Sequence, residues 1–326
     1  MSLSERPTRL ARRLVVSVLM SACCAMASWA AEPEVCPPTV SMPTAPQLQA
    51  AMAAARDHGL LWRIRKDGHD SYLYGTIHVG KLDWAFPGPQ VGAALKATDT
   101  LALELDPTDP AVRQTLIAEG GAVALTVPPG LNSRLERQRA LACLDSSLIE
   151  GAHPVMKAMT LAVLAGRADG LDPAWGQEIV LAGFAKAAKR AVVALETPES
   201  QLKALIPDDP QDALALIDDT LRQLEQKSLP ATLRRLADTW ALGQLDELAH
   251  YERWCDCMDA PSERRLMKRL LDDRNPHLAE GIDALHRRGQ RVFAAVGALH
   301  MTGEQGLPSL LERLGYTVVR IDFNKN

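Results

Sequence analysis

Several things are missing from this sequence, and each absence excludes a class of protein. Past residue 31 there is no uninterrupted apolar stretch of about 18 residues, which excludes a polytopic membrane protein. There is no surplus of basic charge. Lys and Arg number 36 against 40 Asp and Glu, a net of −4 with a pI near 6.1, which argues against nucleic acid as the main partner. Low-complexity tracts and short-period repeats are absent. Neither His-Glu-x-x-His nor Gly-x-Ser-x-Gly occurs, which removes the common zincin and serine-hydrolase signatures. What remains is 47% apolar and 23% charged, the balance of a globular chain, and 326 residues suffice for one large domain or two ordinary ones.

The first thirty residues read as an address. Arg6, Arg9, Arg12 and Arg13 face only Glu5, and an apolar stretch of small residues follows from Leu14 to Ala30. Ser28 and Ala30 stand where a signal peptidase needs small residues, so cleavage is expected near Ala30/Ala31 and the protein is expected to be periplasmic or secreted. A lipoprotein anchored at Cys23 is the lesser reading, because Met20 is a poor residue three places before a lipidated cysteine. Cleavage leaves 32 basic and 39 acidic residues, a net of −7, no transmembrane span, and four cysteines: Cys36, Cys143, Cys255 and Cys257. In an oxidising compartment these suggest two structural disulfides. Cys255 and Cys257 lie too close in sequence to bridge comfortably, so each is expected to reach Cys36 or Cys143. A zinc site on Cys255 and Cys257 lacks a second closely spaced ligand pair.

Residues 31–46 are Pro-rich and read as a tether, followed by a short Ala-rich helix over Gln47–Asp57. Leu61–Arg65 and Ser71–Tyr74 flank Asp67-Gly68 as two strands of a hairpin. Thr100–Leu105, Ala191–Leu195, Arg291–Val296 and Thr317–Ile321 read as further strands, the first apolar enough for a central position. Between them, about 131–244 is mostly helical, with Leu214, Ile217, Leu221 and Leu224 marking a core-facing stripe behind Asp209-Pro210. Pro276–Arg288 is a helix closed by Gly289. The expectation is a single α/β domain over 47–326, a mixed central sheet enlarged by a helical insertion.

Chemistry concentrates at strand ends. Gly75-Thr76-Ile77-His78 and Gly297-Ala298-Leu299-His300 each follow an apolar strand, with glycine expected to allow a tight turn that swings the histidine above the sheet. Leu103-Glu104 and Leu195-Glu196 place carboxylates where burial demands a cation, a metal or a proton. For Glu196 a structural bridge to Arg274 is the simplest partner. Two histidines and a carboxylate suit Mn, Fe, Co or Zn, and serve equally well without metal as a base and its orienting acid. Gly75–Lys81 matches most of a phosphate-binding loop, but Leu82 replaces its Ser/Thr. His58, His69, His153, His250, His277 and His286 are expected to be solvated bystanders.

These motifs resemble the TraB/PrgY/GumN family, which includes TIKI-type metalloproteases. The matching pieces, in the family's order, are Tyr72–Gly80, Leu103–Asp106, Leu195–Gln201, Asp273-Arg274-Asn275 and Ala295–Gly303. The resemblance implies an erythromycin-esterase/ChaN-like fold. It implies His78, Glu104 and His300 as the ligands of a divalent metal (Mn, Co, Zn or Fe) that activates water against a peptide or protein substrate. Arg274 would steady the oxyanion, with Gly75, Gly297, Glu196, Gln201 and Asn275 in support. It also implies an alternative: ChaN-like relatives are associated with haem, so the paired histidines could hold iron, or the cleft a peptide, without catalysis.

Overall fold

The computed structural model describes residues 36–255 and 257–323; the expected signal peptide over 1–30, with Cys23, lies outside the described residues. Six strands form one mixed sheet: β1 (Leu60–Lys66), β2 (His69–Thr76), β3 (Thr100–Leu103), β4 (Ala191–Ala194), β5 (Val292–Gly297) and β6 (Thr317–Ile321), in the order β4-β3-β5-β2-β1-β6. The hairpin between β1 and β2 turns on Asp67 and Gly68, whose φ values of 51° and 83° match a tight two-residue turn. β4, β3, β5 and β2 are mutually parallel, and β1 and β6 pair antiparallel at one side.

The strand characters follow from position. β3 and β5 lie inside the sheet with helices over it, so Leu101, Ala102, Leu103 and Phe293–Val296 are buried. β1 alternates at its far end, with Arg63 and Arg65 outward. The helix Asn275–Arg287 packs Leu278, Ala279 and Ile282 against this core, and the Trp240 ring, on helix Ser228–Ala241, is fully buried within it. A second apolar cluster holds the inserted helices together around Leu135, Val155, Leu161, Ile217, Leu221 and Leu266. Of the stripe expected behind Asp209-Pro210, Ile217 and Leu221 are core and Leu224 packs against it, while Leu214 lies outside the cluster; Asp209 caps the helix by accepting from Gln211 N at 2.8 Å.

Two expectations fail. Cys255 pairs with Cys257, two residues on, and Cys36 pairs with Cys143, 107 residues on. The Cα–Cα distance of 5.0 Å between Cys255 and Cys257 lies within ordinary disulfide range, so short separation was no bar. The long-range bridge fastens the start of the Pro-rich stretch just beyond the helix Pro129–Leu141. His153 and His286 are not solvated: both are buried, His153 accepting from Val155 N at the start of its helix and His286 bonded on both ring nitrogens.

Candidate active site

Because β4, β3, β5 and β2 run the same way, the residues that follow them emerge at one edge of the sheet. Glu104 follows β3 directly and Glu196 lies two residues beyond β4, with Glu196 N–H bonded to Glu104 O at 3.0 Å, so the ladder outlasts both strands and sets the carboxylates side by side. His300 follows β5 in a short helical turn, and His78 follows β2.

Arg274, just ahead of helix Asn275–Arg287, reaches into this edge. Its Nε and Nη2 grip Glu196 at 2.9 and 2.5 Å, Nη2 also reaches Glu104 Oε2 at 2.5 Å, and Nη1 donates to Leu270 O at 3.1 Å. All three side chains are nearly buried, at 11%, 8% and 3% exposure for Arg274, Glu104 and Glu196. The other oxygen of Glu104 accepts from Gly297 N at 2.8 Å. Neither Gly75 nor Gly297 takes the left-handed turn conformation expected of it. Close approach explains them instead. A Cβ on Gly297 would stand 3.3 Å from Glu104 Oε1, and one on Gly75 would stand 3.2 Å from the Ala298 backbone.

Asn275 fixes the His300 ring. Its Nδ2 donates to Gln305 O at 2.8 Å, which turns Oδ1 toward the ring to accept from His300 Nδ1 at 2.5 Å. The proton therefore sits on Nδ1, and the Nε2 lone pair faces Arg274 Nη1 at 3.4 Å and Glu104 Oε1 at 4.0 Å. Burial drives the His300 pKa down to about 4, so the ring is neutral near pH 7. Burial alone would raise Glu104, but the charges of His300, Arg274 and His78 and the Gly297 N–H outweigh it and bring the carboxyl to about 2. With His300 neutral, Arg274 is the lasting cation beside Glu104.

His78 is held differently. Its side chain is 67% exposed, and Nδ1 meets Glu178 Oε1 at 3.1 Å. Glu178 is buried and also accepts from the Thr76 hydroxyl. Its charge raises the His78 pKa to about 9. Glu178 is a site residue that no motif reading found, and Thr76, though inside the first Gly-x-x-His segment, was given no role of its own. Glu178 lies in the first turn of helix Gln177–Ala187, where an acid serves the helix dipole, so nothing in sequence ties it to His78. The tie is the Gln177 N–H bonded to Ile77 O at 3.0 Å, which lays the helix start beside the β2 end.

Of the residues singled out from sequence, His78, Glu104, Gln201, Arg274, Gly297 and His300 line one cavity of about 560 Å³. Glu196 and Asn275 stand behind Arg274 and His300, and Gly75 is packed beneath, its carbonyl accepting from Trp240 Nε1 at 2.7 Å. Among the described residues no three or more His, Cys, Asp and Glu side chains gather so as to hold a metal ion. Both Glu104 oxygens are engaged, and a guanidinium stands between Glu104 and His300 Nε2, so the donor set as arranged does not fit a metal.

The chain is similar to two curated proteins, each titled "Uncharacterized protein YbaP". It is 26% identical over 243 residues to that of Shigella flexneri and 25% identical over 242 residues to that of Escherichia coli (strain K12). Each match covers 74% of this chain and 87% of the relative. No solved structure matches significantly. The family model of TraB/PrgY/gumN matches residues 60–320, a span that holds the sheet, Arg274 and both Gly-x-x-His segments, and the chain therefore belongs to the TraB/PrgY/gumN family.

Proposed function

We propose that this protein is a hydrolase acting on an amide or peptide carbonyl, with its reacting groups at the charged floor of the cavity. The observation that carries the reading is a pair of histidines lining one cavity and driven opposite ways, His300 toward neutral and His78 toward charged. Environments that push two titratable groups apart divide them into base and acid. His300 Nε2 has the lone pair to take a proton from water, with the charge of Glu104 strengthening it as a base. His78, kept positive by Glu178, meets the negative charge that develops on the attacked oxygen and holds a proton for the leaving nitrogen. Arg274 is a positioning residue: it holds Glu104 and Glu196 ionised and parallel.

The test is cleavage of a peptide library by the purified chain, with and without added Mn(II) or Co(II) and with EDTA. His78→Ala, Glu104→Ala and His300→Ala should each lower turnover by about 10²-fold or more in a chain that stays folded; full activity in all three overturns the site. Turnover that EDTA abolishes and Mn(II) restores assigns a divalent ion to His78, Glu104 and His300, as the family resemblance implies. Turnover indifferent to EDTA assigns the chemistry to the side chains alone. A Soret band on the purified chain, with no cleavage, replaces the hydrolase with a haem carrier.

A further inference from the structure

Above its charged floor the cavity is walled by inserted helices, and those walls are apolar. Met156, Met159 and Val163 come from helix Pro154–Leu164, Leu205 from Pro198–Leu205, Leu236 from Ser228–Ala241 and Met267 from Pro261–Leu270. All six are half-buried side chains lining one shared space, with Met159, Val163 and Leu236 also packed against the apolar clusters behind them. Polar groups on these walls are few. Thr160 spends its hydroxyl on its own helix, donating to Met156 O at 2.8 Å, which leaves the Gln201 amide. A peptide main chain laid along such walls gives up water at every N–H and C=O and gains almost no partner in return. An alkyl chain has no such groups to satisfy.

Size points the same way. A cavity of about 150 Å³ accommodates one benzene ring. The space here, about 560 Å³, is several times what an aromatic side chain fills. By the same scale it takes a flexible chain of roughly 12 to 18 carbons. Three methionines in the wall supply unbranched, adaptable surface suited to a chain with many rotamers.

We propose that this cavity binds a saturated acyl chain, with the carbonyl at its head over Glu104, Arg274 and His300. Resting on the hydrolase reading for its chemistry, the inference makes the substrate an N-acyl amide. The oxygen of water bonds to the acyl carbon and the carbon–nitrogen bond breaks. His300 Nε2 takes one proton from water and His78 gives one to the leaving nitrogen; a fatty acid and a free amine are released, and the proton held by His300 returns to His78 through solvent, so both histidines end as they began.

Binding and turnover are measured separately. A series of N-acylglycine amides, from acetyl to stearoyl and below their micelle concentrations, is titrated calorimetrically against the purified chain. The Kd should fall about fourfold per added methylene and level off between about 12 and 18 carbons. Val163→Trp and Leu205→Trp, each checked for folding by circular dichroism, should shorten the chain length at which the curve levels and leave the shortest ligands unaffected. A Kd indifferent to chain length overturns the inference, as does a plateau that neither folded variant moves. Capped apolar peptides that bind more tightly than the longest acyl ligand also overturn it, in favour of peptide side chains. Length-dependent binding with no amine release from the palmitoyl compound keeps the acyl site and removes the hydrolase. Peptide cleavage without length dependence does the reverse.

Discussion

The two ends of the sheet each hold a buried histidine, and one helix, Asn275–Arg287, serves both. At its start Asn275 Oδ1 accepts the hydrogen bond from His300 Nδ1 and leaves Nε2 turned toward a cavity. At its end His286 uses both nitrogens, Nδ1 with Ser71 Oγ at 2.8 Å and Nε2 donating to Lys66 O at 3.0 Å. The His286 ring is fully buried, stacked on His69 at 3.7 Å and edged by Tyr316, while Asp283 nearby is shared by Lys66 and Tyr316. Burial lowers the pKa of both histidines. Burial and a displaced pKa are therefore not what separates a working histidine from a structural one. The separation is that His286 spends both nitrogens on close buried partners, whereas His300 Nε2 has only a long 3.4 Å contact with Arg274 Nη1 at the wall of a cavity.

The sharpest way to test that contrast is to delete each ring in turn. His300→Ala should lower turnover by about 10² to 10⁴, the usual worth of a general base, and, stranding only Asn275 Oδ1, should lower the melting temperature less than His286→Ala does. Steady-state kinetics and a melting curve on the same preparation check both halves. Arg274→Ala leaves Glu104 and Glu196 buried without their cation and should cost about 3–5 kcal/mol of stability, read by urea unfolding. His286→Ala should do what His300→Ala does not. It strands Ser71 and the Lys66 carbonyl, costs about 2–3 kcal/mol of stability, and leaves the activity of the folded fraction unchanged. A turnover loss in His286→Ala that matches the one in His300→Ala breaks the comparison.

The acid and alkaline sides sharpen it further. His286 and His300 have pKa values below the usual imidazole value of about 6.5, so their contribution to stability is present above that pH and is lost as pH falls toward the folded values, about 4 for His300. His78 has the opposite sign: its contribution is full below about 6.5 and is lost as pH rises through about 9. With two-thirds of its side chain exposed, that contribution is the smallest effect here. Turnover should follow a bell with limbs near 4 and 9, and His78→Ala should remove the alkaline limb from the pH profile.

How much was legible depended on the distance over which each signal acts. The Gly-x-x-His segments, the strand-end acids and the Asp67-Gly68 turn are short patterns, written in neighbouring residues by the geometry of strands and turns. That Glu196 needs a partner, with Arg274 as one candidate, followed from the cost of a buried, uncompensated carboxylate. Glu178 was not legible, because its sequence context reads as helix-dipole chemistry and its contact with His78 arises from the helix start laid beside the end of β2. The reason for Gly297 was misplaced in the same way. The need was not its own backbone angle but the carboxylate of a residue nearly two hundred positions earlier.

From the order of residues alone came the family motifs, the strand and helix periods, the core stripes and the demand that Glu104 and Glu196 find a cation, a metal or a proton. Only the tertiary structure decided that the cation is Arg274 for both, which tautomer His300 takes, which cysteines pair, and that inserted helices roof the site with apolar walls. Local patterns fix backbone shape because hydrogen bonding and sterics act between near neighbours. Ionisation, tautomer and cavity chemistry depend on groups brought together from distant parts of the chain, and no stretch of sequence contains its own surroundings.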